Sequence, residues 1–148
     1  MKDQMIIASI QMYSTGDKER NLQTMEKYLE HINKAFPNIK MVVFPELAAH
    51  GSISNMRKEA EVIPGELTSI FSNMANKYNL WLIPGSIYEK SDNEIFNTTP
   101  VFSSSGDLLG KYRKRYPWRP NEKTTPGGTH FTFDAVSYTH LRAHETLL

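Results

Sequence analysis

Apolar positions along the chain recur with two different spacings, and each predicts its own kind of element. Residues 5–12, MIIASIQM, form a short apolar run that reads as a buried first strand. Gly16-Asp17 breaks the pattern. From Lys18 to Phe36 the apolar residues are Leu22, Met25, Leu29, Ile32 and Phe36. Steps of three and four put them on one face of an amphipathic helix, which Pro37-Asn38 ends. Met41–Phe44 is continuously apolar, as expected of a strand covered on both faces. Residues 48–62 are irregular and polar and read as a long loop. Pro64-Gly65-Glu66 opens a second helix with the stripe Leu67, Ile70, Phe71, Met74 and Tyr78, and Asn79 closes it.

Leu80–Ile87 reads as another buried strand. Asp92-Asn93 is a turn signal between it and Ile95–Phe102, which predicts an antiparallel pair. Ser103–Gly106 is a second turn. In the strand from Leu108 to Arg115 the side chains alternate. Leu108, Gly110, Tyr112 and Lys114 share one face, and Leu109, Lys111, Arg113 and Arg115 share the other. The first face is the less charged, so Lys114 is expected to point inward and its basic neighbours outward. The order strand, helix, strand, helix, then three strands predicts an α/β layered fold with helices on one face of the sheet. Neither an internal repeat nor a low-complexity tract interrupts it.

The chain has 148 residues, a size that suits one domain. With 39% hydrophobic and 22% charged residues it belongs to the globular class. A formal net charge of +1 argues against a general polyanion binder. The basic and aromatic cluster Lys111, Arg113, Lys114, Arg115, Arg119, Tyr112, Tyr116 and Trp118 could serve single-stranded nucleic acid, but the near-neutral balance lacks the broad basic surface such binders use. Apolar runs fall far short of the ~20 residues that span a bilayer. Lys2-Asp3 and the short apolar stretch after it make a poor signal peptide. A cytoplasmic protein, binding neither membrane nor nucleic acid, is therefore expected.

The segment KYRKRYPWRPNEKTTPG, Lys111 to Gly127, carries the candidate chemistry. Lys114 ends an alternating run and Glu122 follows eight residues later, among aromatics and prolines that would hold both stiffly. Pro45-Glu46 follows an apolar strand, and ligands of α/β sheets gather at the carboxyl ends of strands. One lysine and two carboxylates make the acid–base half of a hydrolytic site. The nucleophile half is missing, because the chain contains no cysteine; disulfides and thiolate metal sites are excluded with it. GDLLGK at 106–111 lacks the spacing and hydroxyl of a phosphate loop. His140 and His144 are four apart, but no third ligand accompanies them and no metal is expected. His31, His50 and His130 read as surface or packed residues. Ser14, Ser86 and Ser103–Ser105 lack the context of an activated nucleophile.

FPEL at 44–47, PGEL at 64–67, LWLIPGSIYEK at 80–90, FNT at 96–98, GKYRKRYPWRPNE at 110–122 and PGG at 126–128 together resemble the nitrilase superfamily of carbon–nitrogen hydrolases. YRKRYPW followed by Pro and Glu is most similar to its amidase-type members. The resemblance implies an α-β-β-α sandwich, present here as roughly the N-terminal half. It implies hydrolysis of a small amide, nitrile or carbamoyl compound through a Glu-Lys-Cys mechanism, with no metal or organic cofactor and with a homo-oligomeric parent. It implies Glu46 as general base and acid, Lys114 as stabiliser of the tetrahedral oxyanion, and Glu122 as the carboxylate that orients substrate or lysine. Glu89 and Asn97 match family positions and read as structural anchors near the site. In the family the nucleophilic cysteine stands on a strand end beyond the position of Phe133. FTFD at 131–134 resembles the start of that strand, whereas 135–148, AVSYTHLRAHETLL, resembles a translated sequencing adapter. The expectation is a partial hydrolase domain over 1–134 and a non-native tail over 135–148, inactive as it stands. A non-catalytic relative that binds small amides or a protein partner is the alternative.

Overall fold

The computed structural model describes residues 5–51, 56–135 and 140–142. The chain starts with β1 (Ile6–Ser9), α1 (Lys18–Ala35), β2 (Ile39–Val43), the short α2 (Met56–Glu59), α3 (Glu66–Tyr78) and β3 (Trp81–Ile83). It continues through β4 (Ile87–Ser91), β5 (Glu94–Phe102), β6 (Leu108–Arg113), β7 (Thr132–Asp134) and β8 (His140–Arg142). β1, β2 and β3 lie side by side and parallel. Two strand–helix–strand crossovers stepping the same way carry α1 and α3, which pack together on one face of the sheet. β3 and β4 both pair antiparallel with β5. Thr98 faces Ile87 on one edge and Arg113 on the other, so β5 lies between β4 and β6.

Each helix begins and ends where its local chemistry requires. Asp17 caps α1 by accepting the Arg20 N–H at 3.0 Å. The Glu61 carboxylate accepts the Leu67 N–H, placing negative charge at the amide-rich start of α3. Asn79 closes α3 in the left-handed conformation, φ 50°. Met25, Leu29 and Ile32 from α1 and Leu67, Phe71, Met74 and Tyr78 from α3 pack on Val42, Leu82, Ile87 and Phe102 of the sheet. The opposite face carries Met41, its partner Trp81, and the stacked rings of Phe133 and Phe131. A Cβ on Gly110 would stand 2.3 Å from the Phe131 ring, so the ring needs a glycine beneath it.

Several sequence expectations change. β1 is an edge strand with Ile6 and Ile7 49% and 42% exposed, because among the described residues only β2 pairs with it; it is not buried. The run 80–87 is two strands, since Pro84-Gly85 interrupts it before β4 begins. The segment 48–62 contains α2 and a bridge from Glu61 to Glu89 rather than loop alone. Lys111 and Arg113 do not extend into solvent but converge on Glu89, which is 1% exposed. Residues 140–142 form β8, which pairs with β7; whether 135–148 is native is a separate matter that this pairing leaves untouched, and His144 lies outside the described residues, as does the side chain of His140.

Candidate active site

The break between β3 and β4 shapes the first wall of the site. Gly85 adopts φ 82°, and a Cβ there would lie 1.9 Å from the Pro45 carbonyl oxygen. Only glycine permits this approach. Ser86, next in the chain, accepts the Leu47 N–H at 3.1 Å. The residue between Pro45 and Leu47 is Glu46, held at the carboxyl end of β2.

Lys114 follows β6, yet its backbone is fastened on both sides. Its N–H donates to the Asn97 carbonyl at 2.8 Å, and its own carbonyl accepts the Gly127 N–H at 2.9 Å. The ammonium lies 2.9 Å from Glu46 Oε1 and 2.8 Å from Glu122 Oε2. Glu122 reaches it because the loop from 118 to 122 folds back. Trp118 donates its backbone N–H to the Glu122 carboxylate at 3.1 Å, and Arg119 holds the carbonyls of Glu122 and Thr124.

Asn97 completes the cluster. Its side-chain Nδ2 donates to Glu46 Oε1 at 2.6 Å and to Glu122 Oε1 at 2.8 Å. Thr124 Oγ1 donates to Glu122 Oε1 at 3.0 Å. Thus the structure brings together Glu46, Lys114 and Glu122, 76 residues apart at the extremes, and adds Asn97, Thr124 and the Trp118 amide.

Electrostatics follow from these contacts. Burial opposes ionisation of Glu122, but hydrogen bonds from Lys114, Asn97, the Trp118 amide and Thr124 outweigh it and lower its pKa below the ordinary carboxylate range. Burial likewise opposes the charge on Lys114, and the hydrogen bonds to Glu122 and Glu46 outweigh it and raise the pKa. Tyr88, opposite Asn97 across the β4–β5 ladder, has its pKa raised by burial first and then by the negative charges of Glu122 and Glu46. Among the described residues no group of three or more candidate ligands gathers to hold a metal ion.

Residues 6–136 match the carbon-nitrogen hydrolase family profile. The chain belongs to the carbon-nitrogen hydrolase family. It is 38% identical over 109 residues to omega-amidase NIT3 of Saccharomyces cerevisiae, an alignment covering 68% of this chain and 37% of that protein. Against omega-amidase NIT2 of Homo sapiens it is 30% identical over 140 residues, covering 86% of this chain and 50% of that one. The crystal structure of yeast Nit3, a nitrilase-superfamily member, superposes with a TM-score of 0.81 at 31% identity over 92% of this chain and 53% of the other. The chain thus spans about half or less of the length of the relatives it matches. Its one helix layer and its sheet form part of the family's α-β-β-α sandwich, as expected from the motifs.

Sequence reasoning marked Asn97 only as an anchor and passed over Thr124 and Tyr88. Alternation along β5 carried a signal for the first, because Asn97 lies on the face opposite to Thr98, with Thr99 and between the apolar Ile95 and Val101. Glu89, marked beside it, lies on the helix-bearing face of the sheet, with Thr98, and outside this cluster.

Proposed function

We propose that this chain carries the acid–base half of an amidase-type site for a non-peptide carbon–nitrogen bond in a small amide, nitrile or carbamoyl compound. The nucleophile in this proposal is a cysteine thiol that the 148 residues do not include. Glu46 takes the thiol proton, and the thiolate attacks the carbonyl carbon. The carbonyl electrons move to oxygen, where the Lys114 ammonium stabilises them. Collapse breaks the carbon–nitrogen bond, and Glu46 returns its proton to the departing amine. Water then attacks the thioester, with Glu46 again as base; the carbon–sulfur bond breaks, the thiolate recovers a proton from Glu46, and the free acid leaves.

The observation that carries this reading is the unequal anchoring of the two carboxylates about one lysine. Glu122 receives hydrogen bonds from Lys114, Asn97, Trp118 and Thr124 and is 15% exposed. That suits a fixed counter-charge. Among the described residues Glu46 receives them from Lys114 and Asn97, and it is 53% exposed. That suits a group that must exchange protons. An ammonium has three N–H donors, and the two carboxylates take two, so one remains for an oxyanion. Two carboxylates against one lysine also leave a net negative charge, which keeps the lysine ionised.

The test is ammonia release from simple amides by residues 1–134 joined to the cysteine-bearing remainder of a relative. Turnover is expected there and not in the chain alone. Glu46→Gln should lower kcat by roughly 10²–10⁴-fold, and Lys114→Met by roughly 10²–10³-fold. Turnover undiminished by Glu46→Gln would overturn the assignment. A second reading is a non-catalytic binder of small amides; a complete gene without a cysteine would favour it. Homo-oligomeric assembly and a cytoplasmic setting belong to the same proposal for the parent protein.

A further inference from the structure

The cluster draws on distant stretches of chain, and besides Lys114 one further side chain, Asn97, touches both carboxylates. Asn97 sits in β5 between β4 and β6 and is 3% exposed. Ladders on both edges prevent its Cα from drifting. Its carbonyl accepts the Lys114 backbone N–H at 2.8 Å, and its Nδ2 hydrogens go one to Glu46 and one to Glu122. A rotated amide would turn its carbonyl oxygen toward two carboxylates, so the hydrogen-bond network fixes the orientation.

We propose that Asn97 is a positioning residue, whose one amide nitrogen sets the Glu46 and Glu122 carboxylates at a fixed separation about the Lys114 ammonium. The proposal rests on the hydrolytic reading of those three residues. Glu46 is the half-exposed member and has two holds among the described residues, so its direction depends on Asn97 as much as on Lys114. A neutral donor suits the task. A second cation at 97 would cancel the cluster's negative charge. A hydroxyl carries a single hydrogen and could satisfy one carboxylate only.

The charged and titratable groups facing Glu122 are Lys114, Glu46 and Tyr88; the Arg119 guanidinium binds its carbonyl and not its carboxylate. Glu122 therefore reports the amide's contribution. The full chain, with glutamate labelled by carbon-13 at the carboxyl carbon, is titrated by NMR. Three variants accompany it: Asn97→Ala, the isosteric Asn97→Asp, and Glu89→Gln. The last weakens the same sheet from its other face. Losing a donor should raise the Glu122 pKa by about one unit in Asn97→Ala, and by more in Asn97→Asp, where a third carboxylate is added. Glu89→Gln should leave Glu122 within about 0.2 unit of its starting value. Asn97→Asp keeps the shape of the side chain and supplies the answer if Asn97→Ala does not fold. The proposal is overturned if Glu122 titrates unchanged in the folded variants, or if both Asn97 variants unfold while Glu89→Gln does not. This outcome is independent of ammonia release: turnover could fail for want of a working thiol with the Glu122 shift intact, or survive with no shift at all.

Discussion

Glu89→Gln tests how much one buried carboxylate holds this sheet together. Glu89 is 1% exposed on β4 and accepts hydrogen bonds from Lys111, twice from Arg113, and from Thr98. Arg113 also lies over the Phe96 ring at 3.9 Å. Burial alone would push the Glu89 pKa up, but the Arg113, Lys111 and Thr98 hydrogen bonds prevail and lower it from 4.5 to about 2. At ~1.4 kcal/mol per unit, that fall is worth about 3 kcal/mol of stability. The magnitude agrees with the roughly 3–5 kcal/mol lost when one member of a buried ion pair is removed. For a chain of this size it is a fall of about 6–12 °C in Tm. The sign of the pH dependence is fixed by the direction of the shift. A lowered pKa contributes fully above the ordinary value of 4.5 and is lost as pH falls through about 2. Urea unfolding of both proteins, followed by circular dichroism, should give a stability gap that is flat from about pH 7 to about pH 5 and narrows below about pH 4. A gap below about 1 kcal/mol at neutral pH, or one that does not narrow in acid, would refute the reasoning.

Lys114→Met should remove roughly 2 kcal/mol by leaving two carboxylates facing each other without their cation. The raised Lys114 pKa contributes fully below 10.5 and is lost as pH rises through its folded value; the lowered Glu122 pKa contributes above 4.5 and is lost in acid. The stability difference between this variant and the unsubstituted chain should therefore be constant between about pH 5 and about pH 10, and a difference that vanishes inside that window would contradict the triad. Gly85→Ala should cost more than about 2 kcal/mol, because its φ of 82° disfavours a side chain and the new Cβ would meet the Pro45 carbonyl at 1.9 Å; an unchanged melting temperature would show that the Pro45–Gly85 approach is not required.

Local chemistry made most elements legible in the sequence. The three-and-four spacing gave α1 and α3 within a residue or two, Asn79 marked the end of α3, and Asp92-Asn93 marked the β4–β5 hairpin. What could not be read was set by distant partners. Leu80–Ile87 looks continuous until the Pro45 carbonyl, forty residues away, requires a break at Gly85. Lys111 and Arg113 look like solvated charges because the carboxylate they meet lies in another strand, 22 and 24 residues earlier. Alternation correctly assigned Lys111 and Arg113 to one face and Lys114 to the other, but it does not say that a carboxylate waits on each. The two faces of β5 and β6 thus carry two ion clusters built from the same residue types, and their difference lies in saturation. Around Glu89 the carboxylate is sealed and every contact is to a fixed donor of the sheet. Around Lys114 an ammonium hydrogen and a half-exposed carboxylate oxygen remain available. A saturated buried cluster can only hold the fold together, whereas an unsaturated one beside solvent can bind and move protons. That physical distinction, and not the mere presence of Lys and Glu, separates the candidate active site from its counterpart on the opposite face.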